Sequence, residues 1–311
     1  MSAGGDGHGT KAVLAALFAN AAIAAAKFVG FLVTGSSAML AESVHSVADA
    51  GNQGLLLLGG SRAKKAADQE HPFGYGRERY FWAFVVALVL FTLGGVFSLY
   101  EGFHKLQEAG QGGELTSPGV AIGILLFAFV AEGFSFRTAI VESRKIKGDQ
   151  SWWRFVRTAK SPELPVVLLE DLGALVGLAF ALVGVALAAI TGDLLWDALG
   201  TMAIGVLLLV IAVFLVVEMK GLLIGEGATS PQLGEIRGAL VDGAAVTRVI
   251  HLKTLHLGPD ELLVAAKIGM APGLSVVDLA QAIDAAETRV RAAVPIARSI
   301  YLEPDLYRTF G

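Results

Sequence analysis

Three ionisable residues, Glu42, His45 and Asp49, interrupt the otherwise apolar stretch "AMLAESVHSVADAGNQGLLLLGG". Each such side chain costs about 2.5–3.5 kcal/mol at the centre of a bilayer, so their presence needs a reason. His45 and Asp49 are four residues apart, and a helix therefore places them on one face. Imidazole and carboxylate together suit a divalent ion such as Zn²⁺. The pair predicts half of a metal site, whereas Glu42 is expected to be a structural or solvated acid.

A second apolar stretch, "LPVVLLEDLGALVGLAFALVG", supplies Glu170 and Asp171 with no basic residue beside them. Consecutive helical residues point about 100° apart, so the two carboxylates are not expected to aim straight at one ion. Adjacent acids inside a membrane repel each other unless protons or a cation neutralise them. We therefore predict one metal site formed by His45, Asp49, Asp171 and Glu170. The alternative is that His45 and Asp49 only satisfy each other or cap a broken helix.

The composition indicates a membrane protein and excludes several functions. Of the 311 residues, 54% are hydrophobic and only 17% are charged, against about 25% charged in soluble domains. The net charge of −4 gives no reason to expect a nucleic-acid partner. The chain has no cysteine, which removes disulfides, thiolate metal sites and cysteine nucleophiles. It has no nucleophile elbow, H-E-x-x-H motif or phosphate-binding glycine loop, so we do not expect an enzyme.

The membrane part of the sequence predicts six spans, since each span needs about 20 mostly apolar residues. The six stretches are roughly Ala12–Thr34, Ala38–Gly60, Tyr80–His104, Pro118–Val141, Pro165–Ile190 and Leu195–Ile224. Glu132, Glu170 and Asp171 interrupt the fourth and fifth stretches. The N-terminus "MSAGGDGHGTK" lacks the features of a signal peptide, so the first apolar run is expected to remain as an anchor.

Basic residues collect in two of the connectors between these spans. They are Arg62, Lys64, Lys65, Arg77 and Arg79 after the second span, and Arg144, Lys145, Lys147, Arg154, Arg157 and Lys160 after the fourth. The other connectors hold at most one basic residue, Lys105. Because cytoplasmic loops collect positive charge, both termini are expected to face the cytoplasm.

The sequence changes character at about Gly225, where a soluble domain is predicted. "SPQLGEIRGALVDG" has helical spacing, with Ser230 and Pro231 expected as its cap and first turn. "VTRVIHLKTLHL" and "ELLVAAKIGM" read as two strands joined by a "GPD" turn. "SVVDLAQAIDAAETRVRAAV" is typical of a helix capped by Ser275, and "ARSIYLEP" predicts a last strand. The order αββαβ fits a small α+β, ferredoxin-like cytoplasmic domain at 225–311, after an α-helical membrane domain of six transmembrane helices at 1–224.

Three motifs, "GSSAMLAESVHSVADAGNQ", "DQEHPFGYGRERYFW" and "YEGFHKL", follow one another along the chain. With them the sequence resembles the cation diffusion facilitator family, most of all the subgroup of zinc transporter nine, whose fifth span likewise reads "VVLLED". The resemblance covers nearly the whole chain. It implies a homodimeric exporter that moves a divalent metal, usually Zn²⁺, out of the cytoplasm in exchange for protons. The bacterial inner (plasma) membrane is the expected location, and no prosthetic group is expected.

In this family the transport site takes two residues four apart from the second span, matched here by His45 and Asp49, and a second such pair from the fifth. The sequence departs there, because Asp171 matches the later acid and Val167 stands at the earlier ligand position. We expect Glu170 to substitute for that ligand. More oxygen and less nitrogen make Mn²⁺, Fe²⁺ or Co²⁺ the alternative to Zn²⁺.

The loop "AADQEHPFGYGRER" is a second place where family members can hold metal. Asp68 and His71 match positions that bind metal in some relatives, whereas Tyr75 stands where a further histidine would be. One interpretation is a loop metal site at Asp68 and His71. The other is that the residues from His71 to Gly74 only shape the turn into the third span.

In the soluble domain, relatives often bind two zinc ions through histidines and acids at the dimer interface. The residues available here are His251, His256, Asp260 and Glu303. Lys267 and Tyr301 stand at positions that commonly carry histidine, and a lysine brings a positive charge to the place of a cation. We therefore expect no full binuclear site and a dimerisation module held mainly by packing, with the two histidines at the surface or an edge.

The expected mechanism is alternating access around a site near the middle of the membrane. Metal ligands bind only when deprotonated, so protons from the far side would release the ion. A passive metal channel, or a sensor without proton coupling, would use the same ligands and is the alternative. The expected partners are the lipid bilayer, the divalent metal ion and a second copy of the chain.

Overall fold

The computed structural model describes residues 21–109 and 117–306. The chain divides into two compact units. The helical unit contains the residues up to Gly59 together with Trp82–Met219, and the sheet unit contains Gly60–Phe81 and the residues from Lys220 onward. The loop between the second and third predicted spans therefore belongs to the same unit as the C-terminal residues.

The helices before the C-terminal domain follow the apolar stretches of the sequence. In chain order they are α1 (Ala21–Thr34), α2 (Ser37–Arg62), α3 (Glu78–Val89), a π-helical segment (Leu90–Val96), α4 (Phe97–Ala109), α5 (Pro118–Lys147), α6 (Trp152–Thr158), α7 (Glu163–Thr191) and α8 (Leu195–Ile224).

Four helical stretches within the described ranges are long and apolar enough to cross a membrane: Glu78–Gln107, α5, α7 and α8. The expectation of a helical membrane domain is thereby confirmed. The predicted first span begins at Ala12, which lies outside the described residues, and α1 is a shorter apolar helix. The 26-residue helix α2 buries Glu42, His45 and Asp49 along its length, and such residues lower its hydropathy. The count of six spans stays a prediction.

Glycines bring the helices of the membrane domain close together. A Cβ atom on Gly184 of α7 would lie 2.8 Å from the carbonyl oxygen of Trp196, and one on Gly200 of α8 would lie 3.0 Å from that of Phe180. On the other side of α8, a Cβ atom on Gly205 would lie 2.8 Å from the main-chain nitrogen of Leu99 in α4. Small residues allow this approach where no hydrophobic effect drives helices together in lipid.

A carboxylate on α8 fixes the beginning of α2. Asp197 accepts hydrogen bonds from the Ser36 hydroxyl at 2.7 Å, and from the main-chain N–H and hydroxyl of Ser37 at 2.8 and 3.0 Å. All three residues are fully buried. Because the first N–H groups of a helix have no partner inside the helix, this contact satisfies donors that burial would otherwise leave unbonded. It also holds the start of the polar helix α2 against α8.

The C-terminal domain contains α9 (Ser230–Leu240), β1 (Val246–Gly258), β2 (Glu261–Met270), α10 (Val276–Ala293) and β3 (Ala297–Asp305). The sheet has the strand order β1-β2-β3, with β1 and β2 antiparallel and β2 and β3 parallel. Both helices pack on it around one core, whose buried residues run from Ile236 to Ile300. The expectation of a small C-terminal sheet domain is confirmed.

The helix caps of this domain agree with the sequence at one end and differ at another. Ser275 caps α10 as expected, since its hydroxyl accepts a hydrogen bond from the main-chain N–H of Asp278 at 3.2 Å. At α9 the cap is Thr229, not Ser230, because Ser230 is already the first helical residue. Thr229 donates its main-chain N–H to Gln232 Oε1 at 2.9 Å.

The loop Gly60–Phe81 contacts the sheet domain at the β1–β2 turn. Arg79 Nη1 lies 2.8 Å from Asp260 Oδ2. A Cβ atom on Gly76 would lie 2.8 Å from the carbonyl oxygen of Leu257, so only glycine fits this approach without a shift. These contacts explain why the loop belongs to the sheet unit.

Candidate metal centre

The polar face of α2 carries a buried histidine with unbonded ring nitrogens. His45 is 0% exposed, and its Nδ1 lies 3.6 Å from Asp49 Oδ1 on the next turn. Within the described residues, neither ring nitrogen of His45 has a hydrogen-bond partner, and neither does Asp49 Oδ1. Since buried polar atoms in native proteins are nearly always bonded, these three atoms require an explanation.

The acids of α7 face this position. Asn52 of α2 donates a hydrogen bond to Glu170 Oε1, and the carboxyl group of Asp49 lies within interaction distance of that of Glu170. The polar faces of α2 and α7 therefore meet, as the predicted site requires. Two carboxyl groups in contact need a shared proton or a cation between them, because two carboxylates would repel each other.

Asp171 points to a third helix. Its Oδ2 accepts a hydrogen bond at 3.0 Å from the hydroxyl of Ser135 on α5, and α5 packs against α7. Glu170 thus faces α2 while Asp171 faces α5, which follows from the 100° between consecutive helical residues. The expectation that the two adjacent acids do not aim at one point agrees with this geometry.

A third buried acid, Glu132 of α5, lies in the same region. Glu132 is 8% exposed and within electrostatic reach of Asp49, Glu170 and Asp171. The sequence shows this residue as an interruption of the apolar run "ILLFAFVAEGFSF" but does not assign it to the site. Its isolation in that run was the available signal, because an ionisable residue inside a span is by default a functional candidate.

A buried ion pair borders this region. Lys27 of α1 lies with its Nζ 3.0 Å from Glu42 Oε2 and donates a hydrogen bond to the Ser46 hydroxyl at 2.8 Å. The side chains of Lys27 and Glu42 are both 0% exposed, so Glu42 is a structural acid and not a solvated one. Gly177 of α7 leaves room for it, since a Cβ atom there would lie 2.8 Å from Glu42 Oε1.

We call His45, Asp49, Glu132, Glu170 and Asp171 the buried acid cluster. Its members come together from α2, α5 and α7, but their donor atoms do not yet converge on one point. Within 21–109 and 117–306, no three His, Asp or Glu side chains have the spacing of a metal-binding group. The cluster offers imidazole nitrogen and carboxylate oxygen, which are the donor types that divalent metals use.

The loop candidate Asp68 is hydrogen-bonded on both oxygens. Oδ2 accepts from Lys65 Nζ at 2.9 Å and from the Tyr75 hydroxyl at 2.7 Å, and Oδ1 accepts from the main-chain N–H groups of Glu70 and His71. The hydrogen bonds from Lys65, Tyr75 and His71 hold the pKa of Asp68 well below its usual range. His71 Nδ1 lies 3.7 Å from Asp68 Oδ1. A metal ion bound by Asp68 and His71 would have to displace the ammonium group of Lys65.

In the sheet domain a lysine forms ion pairs with the acids that could bind metal. Lys267 Nζ lies 3.0 Å from Glu303 Oε1 and 3.0 Å from Asp305 Oδ2. Hydrogen bonds to these two carboxylates raise the pKa of Lys267. His251 pairs with Lys267 across the β1–β2 register. His256, expected at the surface or an edge, is fully buried, because its strand lies under the peptide that precedes α9 and its main-chain N–H donates to Glu226.

Comparison with known proteins places these features in a family. The model of the cation efflux transmembrane domain matches residues 13–224. The chain is 31% identical over 261 residues to the mitochondrial proton-coupled zinc antiporter SLC30A9 of Mus musculus, covering 83% of this chain and 45% of that protein. It is 29% identical over 265 residues to metal tolerance protein C4 of Arabidopsis thaliana, covering 85% and 57%.

A third relative has nearly the same length as this chain. The magnetosome protein MamB of Paramagnetospirillum magneticum is 25% identical over 273 residues, which cover 87% of this chain and 85% of MamB. By contrast, the chain spans only about half the length of SLC30A9 and metal tolerance protein C4. The family match covers α1 through α8, including every member of the buried acid cluster. The chain is an integral membrane protein of the cation efflux, or cation diffusion facilitator, family and is similar to the SLC30A9 zinc antiporters.

Proposed function

We propose that this protein exports Zn²⁺ from the cytoplasm in exchange for protons by alternating access. Membership of the cation efflux family and the names of the SLC30A9 relatives support this proposal. One observation carries it: the two ring nitrogens of His45 are buried and unbonded beside an unbonded oxygen of Asp49. A bound divalent ion would explain why these buried atoms have no hydrogen-bond partner, because imidazole nitrogen and carboxylate oxygen are its ligands.

We propose His45, Asp49, Glu170 and Asp171 as the ligands. Bonds from Zn²⁺ to nitrogen and carboxylate oxygen are about 2.0–2.2 Å long, so two ligand atoms of one ion lie at most about 4.4 Å apart. The 3.6 Å between His45 Nδ1 and Asp49 Oδ1 falls inside this limit. Glu170 accepts a side-chain hydrogen bond from the neutral donor Asn52, and Asp171 accepts one from the neutral donor Ser135. A carboxylate has further lone pairs, so each acid retains acceptor capacity for a cation.

Proton coupling follows from the same donors. Carboxylates and imidazole bind metal only when they are deprotonated, so protons and the metal ion compete for one set of atoms. The contact between Asp49 and Glu170 is a place where a proton replaces the cation, since both neutralise adjacent acids. A site open to an acidic compartment would therefore release its metal, and a site open to a neutral cytoplasm would bind it.

We further propose that the membrane domain, residues 1–224, has six spans with both termini in the cytoplasm of a bacterial inner membrane. The basic residues after the second and fourth spans support this orientation. Residues 225–311 form a cytoplasmic domain through which two copies of the chain dimerise. Its αββαβ order, with β2 and β3 parallel, fits a ferredoxin-like sheet without its first strand.

Reconstitution into vesicles tests the transport proposal. A zinc-sensitive dye inside proteoliposomes should report Zn²⁺ movement that rises with an opposed proton gradient and falls when a protonophore removes the gradient. His45→Ala and Asp171→Asn should each abolish the flux and leave the purified protein monodisperse. Asp149→Asn is the matched control, because it makes the same chemical change at an exposed acid outside the cluster.

Two results would contradict the proposal. Normal Zn²⁺ flux in His45→Ala or Asp171→Asn would remove the assigned site. A flux that does not respond to the proton gradient would indicate a passive metal channel, which uses the same ligands without proton coupling.

The oxygen-rich cluster supports a second candidate substrate. It offers four carboxyl groups, counting Glu132, and one imidazole, and such donors suit Mn²⁺ or Fe²⁺ more than sites rich in nitrogen do. The test compares Zn²⁺, Mn²⁺, Fe²⁺ and Co²⁺ fluxes in the wild type and in Glu170→Gln. A wild type that prefers Mn²⁺ or Fe²⁺, and loses this preference in Glu170→Gln, would replace Zn²⁺ as the proposed substrate.

A further inference from the structure

An apolar cavity of about 480 Å³ opens in the helical unit between α5, α6, α7 and α8. Its walls come from aromatic and aliphatic side chains of all four helices, among them Phe136, Ile140, Trp153, Leu172, Val210 and Phe214. This volume lies in the range of small-molecule and cofactor sites, about 300–1,000 Å³. The lining suits a hydrocarbon chain, because it offers almost no hydrogen-bonding group.

One end of the cavity is basic. Arg144, at the C-terminal end of α5, is the one charged residue in its lining within the described part of the chain. The guanidinium group of Arg144 is exposed and makes no hydrogen bond or ion pair with the residues that the structure describes. The same holds for the side chain of Arg154 on the short helix α6, whose first two residues line the cavity.

Three other basic side chains near this end already have partners. Lys145 Nζ lies 2.5 Å from Glu142 Oε1, and Arg157 Nε lies 3.5 Å from Glu218 Oε1. Lys147 lies over the ring of Trp152, with its Nζ 5.2 Å from the ring centroid. Arg144 and Arg154 therefore provide the positive charge that remains available to an anionic group at the cavity.

The position in the membrane fits a lipid. Tryptophans are enriched at the level of the lipid headgroups, and α6 begins with Trp152 and Trp153 at the end of the membrane helix α5. Basic pockets between membrane helices bind anionic headgroups. A hydrocarbon-lined cavity that ends at headgroup level in an arginine with no partner among residues 21–109 and 117–306 combines both features of an anionic phospholipid site.

We propose that this cavity binds one anionic phospholipid, with an acyl chain between α5, α6, α7 and α8 and its phosphate on the Arg144 guanidinium. Arg154 adds positive charge beside the phosphate. Arginine suits this role because its planar group donates two parallel hydrogen bonds to phosphate.

Native mass spectrometry of the purified full-length protein tests the proposal. The protein is mixed with equal amounts of phosphatidylglycerol and phosphatidylcholine that carry the same acyl chains. The wild type should retain phosphatidylglycerol in preference. Arg144→Gln should weaken phosphatidylglycerol retention at least tenfold, because it loses charge-assisted hydrogen bonds to the phosphate and each tenfold corresponds to about 1.4 kcal/mol. It should weaken phosphatidylcholine retention less, because the choline cation already offsets the charge of that lipid's phosphate.

Two further variants separate the site from general charge and from folding. Lys145→Gln removes the same charge one residue away, at a side chain that does not line the cavity, and should keep the phosphatidylglycerol preference. Leu172→Trp fills the cavity from α7 at a partly exposed position and should weaken the retention of both lipids.

Three results would overturn the proposal. The first is equal retention of the two lipids by the wild type, and the second is an equal loss in Lys145→Gln and Arg144→Gln. The third is a Leu172→Trp protein that changes its oligomeric mass but not its lipid retention, which would make this face an interface between copies. The inference is independent of which ion the protein carries.

Discussion

The ion pair of Lys27 and Glu42 shows how one residue stabilises the polar interior of the helical unit. Both side chains are fully buried and lie 3.0 Å apart. Lys27→Met leaves the Glu42 carboxylate without its counter-charge, and breaking a buried pair in this way costs about 3–5 kcal/mol. We expect the free energy of unfolding to fall by that amount, measured by thermal unfolding in one detergent.

The double variant Lys27→Met/Glu42→Leu provides the internal check. Removing both charges should restore much of the lost stability, because an apolar pair of similar volume replaces a buried ion pair at little cost. Lys64→Met, at an exposed lysine of the loop, is the control and should change stability by no more than about 0.5 kcal/mol. If the double variant lost as much stability as Lys27→Met and Glu42→Leu lose when measured separately and added, the two residues would not stabilise each other.

At the residue scale, the sequence identifies the candidate residues on α2 and α7 because each of them is ionisable in an apolar run. The 4-residue spacing places His45 and Asp49 on one face without any knowledge of the fold. Glu132 gives the same signal, but its place beside Asp49 and the pairing of Lys27 with Glu42 cannot be predicted in this way, because they depend on which helices are neighbours. Spacing along one chain does not determine that α5 brings Glu132 within reach of Asp49.

At the scale of helices, glycine decides which pairs approach closely. Gly184→Ala adds a methyl group 2.8 Å from the carbonyl oxygen of Trp196, a backbone atom that cannot rotate away. Overpacking of this kind costs about 1–3 kcal/mol. Gly123→Ala on α5 is the opposite case, since nothing lies within 4 Å of its new methyl group. Alanine is favoured over glycine in a helix by about 0.5–1 kcal/mol, so this variant should gain stability.

Thermal unfolding of the two glycine variants in the same detergent measures the expected loss of stability in one and the expected gain in the other. Gly184→Ala should melt at a lower temperature than the wild type, and Gly123→Ala at an equal or higher temperature. If both variants melted at a lower temperature than the wild type, the close packing at Gly184 would not be the cause of the lower melting temperature of Gly184→Ala. A stable Gly184→Ala protein would show that α7 and α8 can separate without a measurable loss.

Apolar runs predict the helices well, and the polar composition of α2 explains where this method is weakest. A helix that buries Glu42, His45, Asp49 and Asn52 is less apolar than its neighbours, although it is 26 residues long. The π-helical segment Leu90–Val96 was not predicted, because it lies inside a long, mostly apolar stretch that reads as one continuous helix. The small sheet domain was predictable from strand alternation and from the Ser275 cap.

At the scale of the whole molecule, the division into two units differs from a simple cut near Gly225. The loop Gly60–Phe81 belongs to the sheet unit through contacts such as that of Arg79 with Asp260. Such a pairing of distant segments has no counterpart in composition or periodicity. The change of character at Gly225 predicts where the sheet domain begins but not which earlier residues contact it.

The sheet domain should nevertheless fold without the rest of the chain. The buried residues of its core all lie between Ile236 and Ile300, and none comes from the loop Gly60–Phe81. We expect a fragment of residues 225–311 to be soluble and to unfold cooperatively in urea, measured by circular dichroism. Ile268→Ala should lower its free energy of unfolding by about 2–5 kcal/mol, because this side chain is fully buried in the core.

Val276→Ala is the control for this fragment, since Val276 is 83% exposed and its truncation removes no core contact. In the full-length protein the four tryptophans (Trp82, Trp152, Trp153 and Trp196) all lie in the helical unit. Ile268→Ala should therefore leave the tryptophan fluorescence transition unchanged while it lowers the stability of the fragment. A fragment without a cooperative transition would mean that the sheet domain needs Arg79 and Gly76 of the loop to fold. A shifted fluorescence transition in Ile268→Ala would show that the two units unfold together.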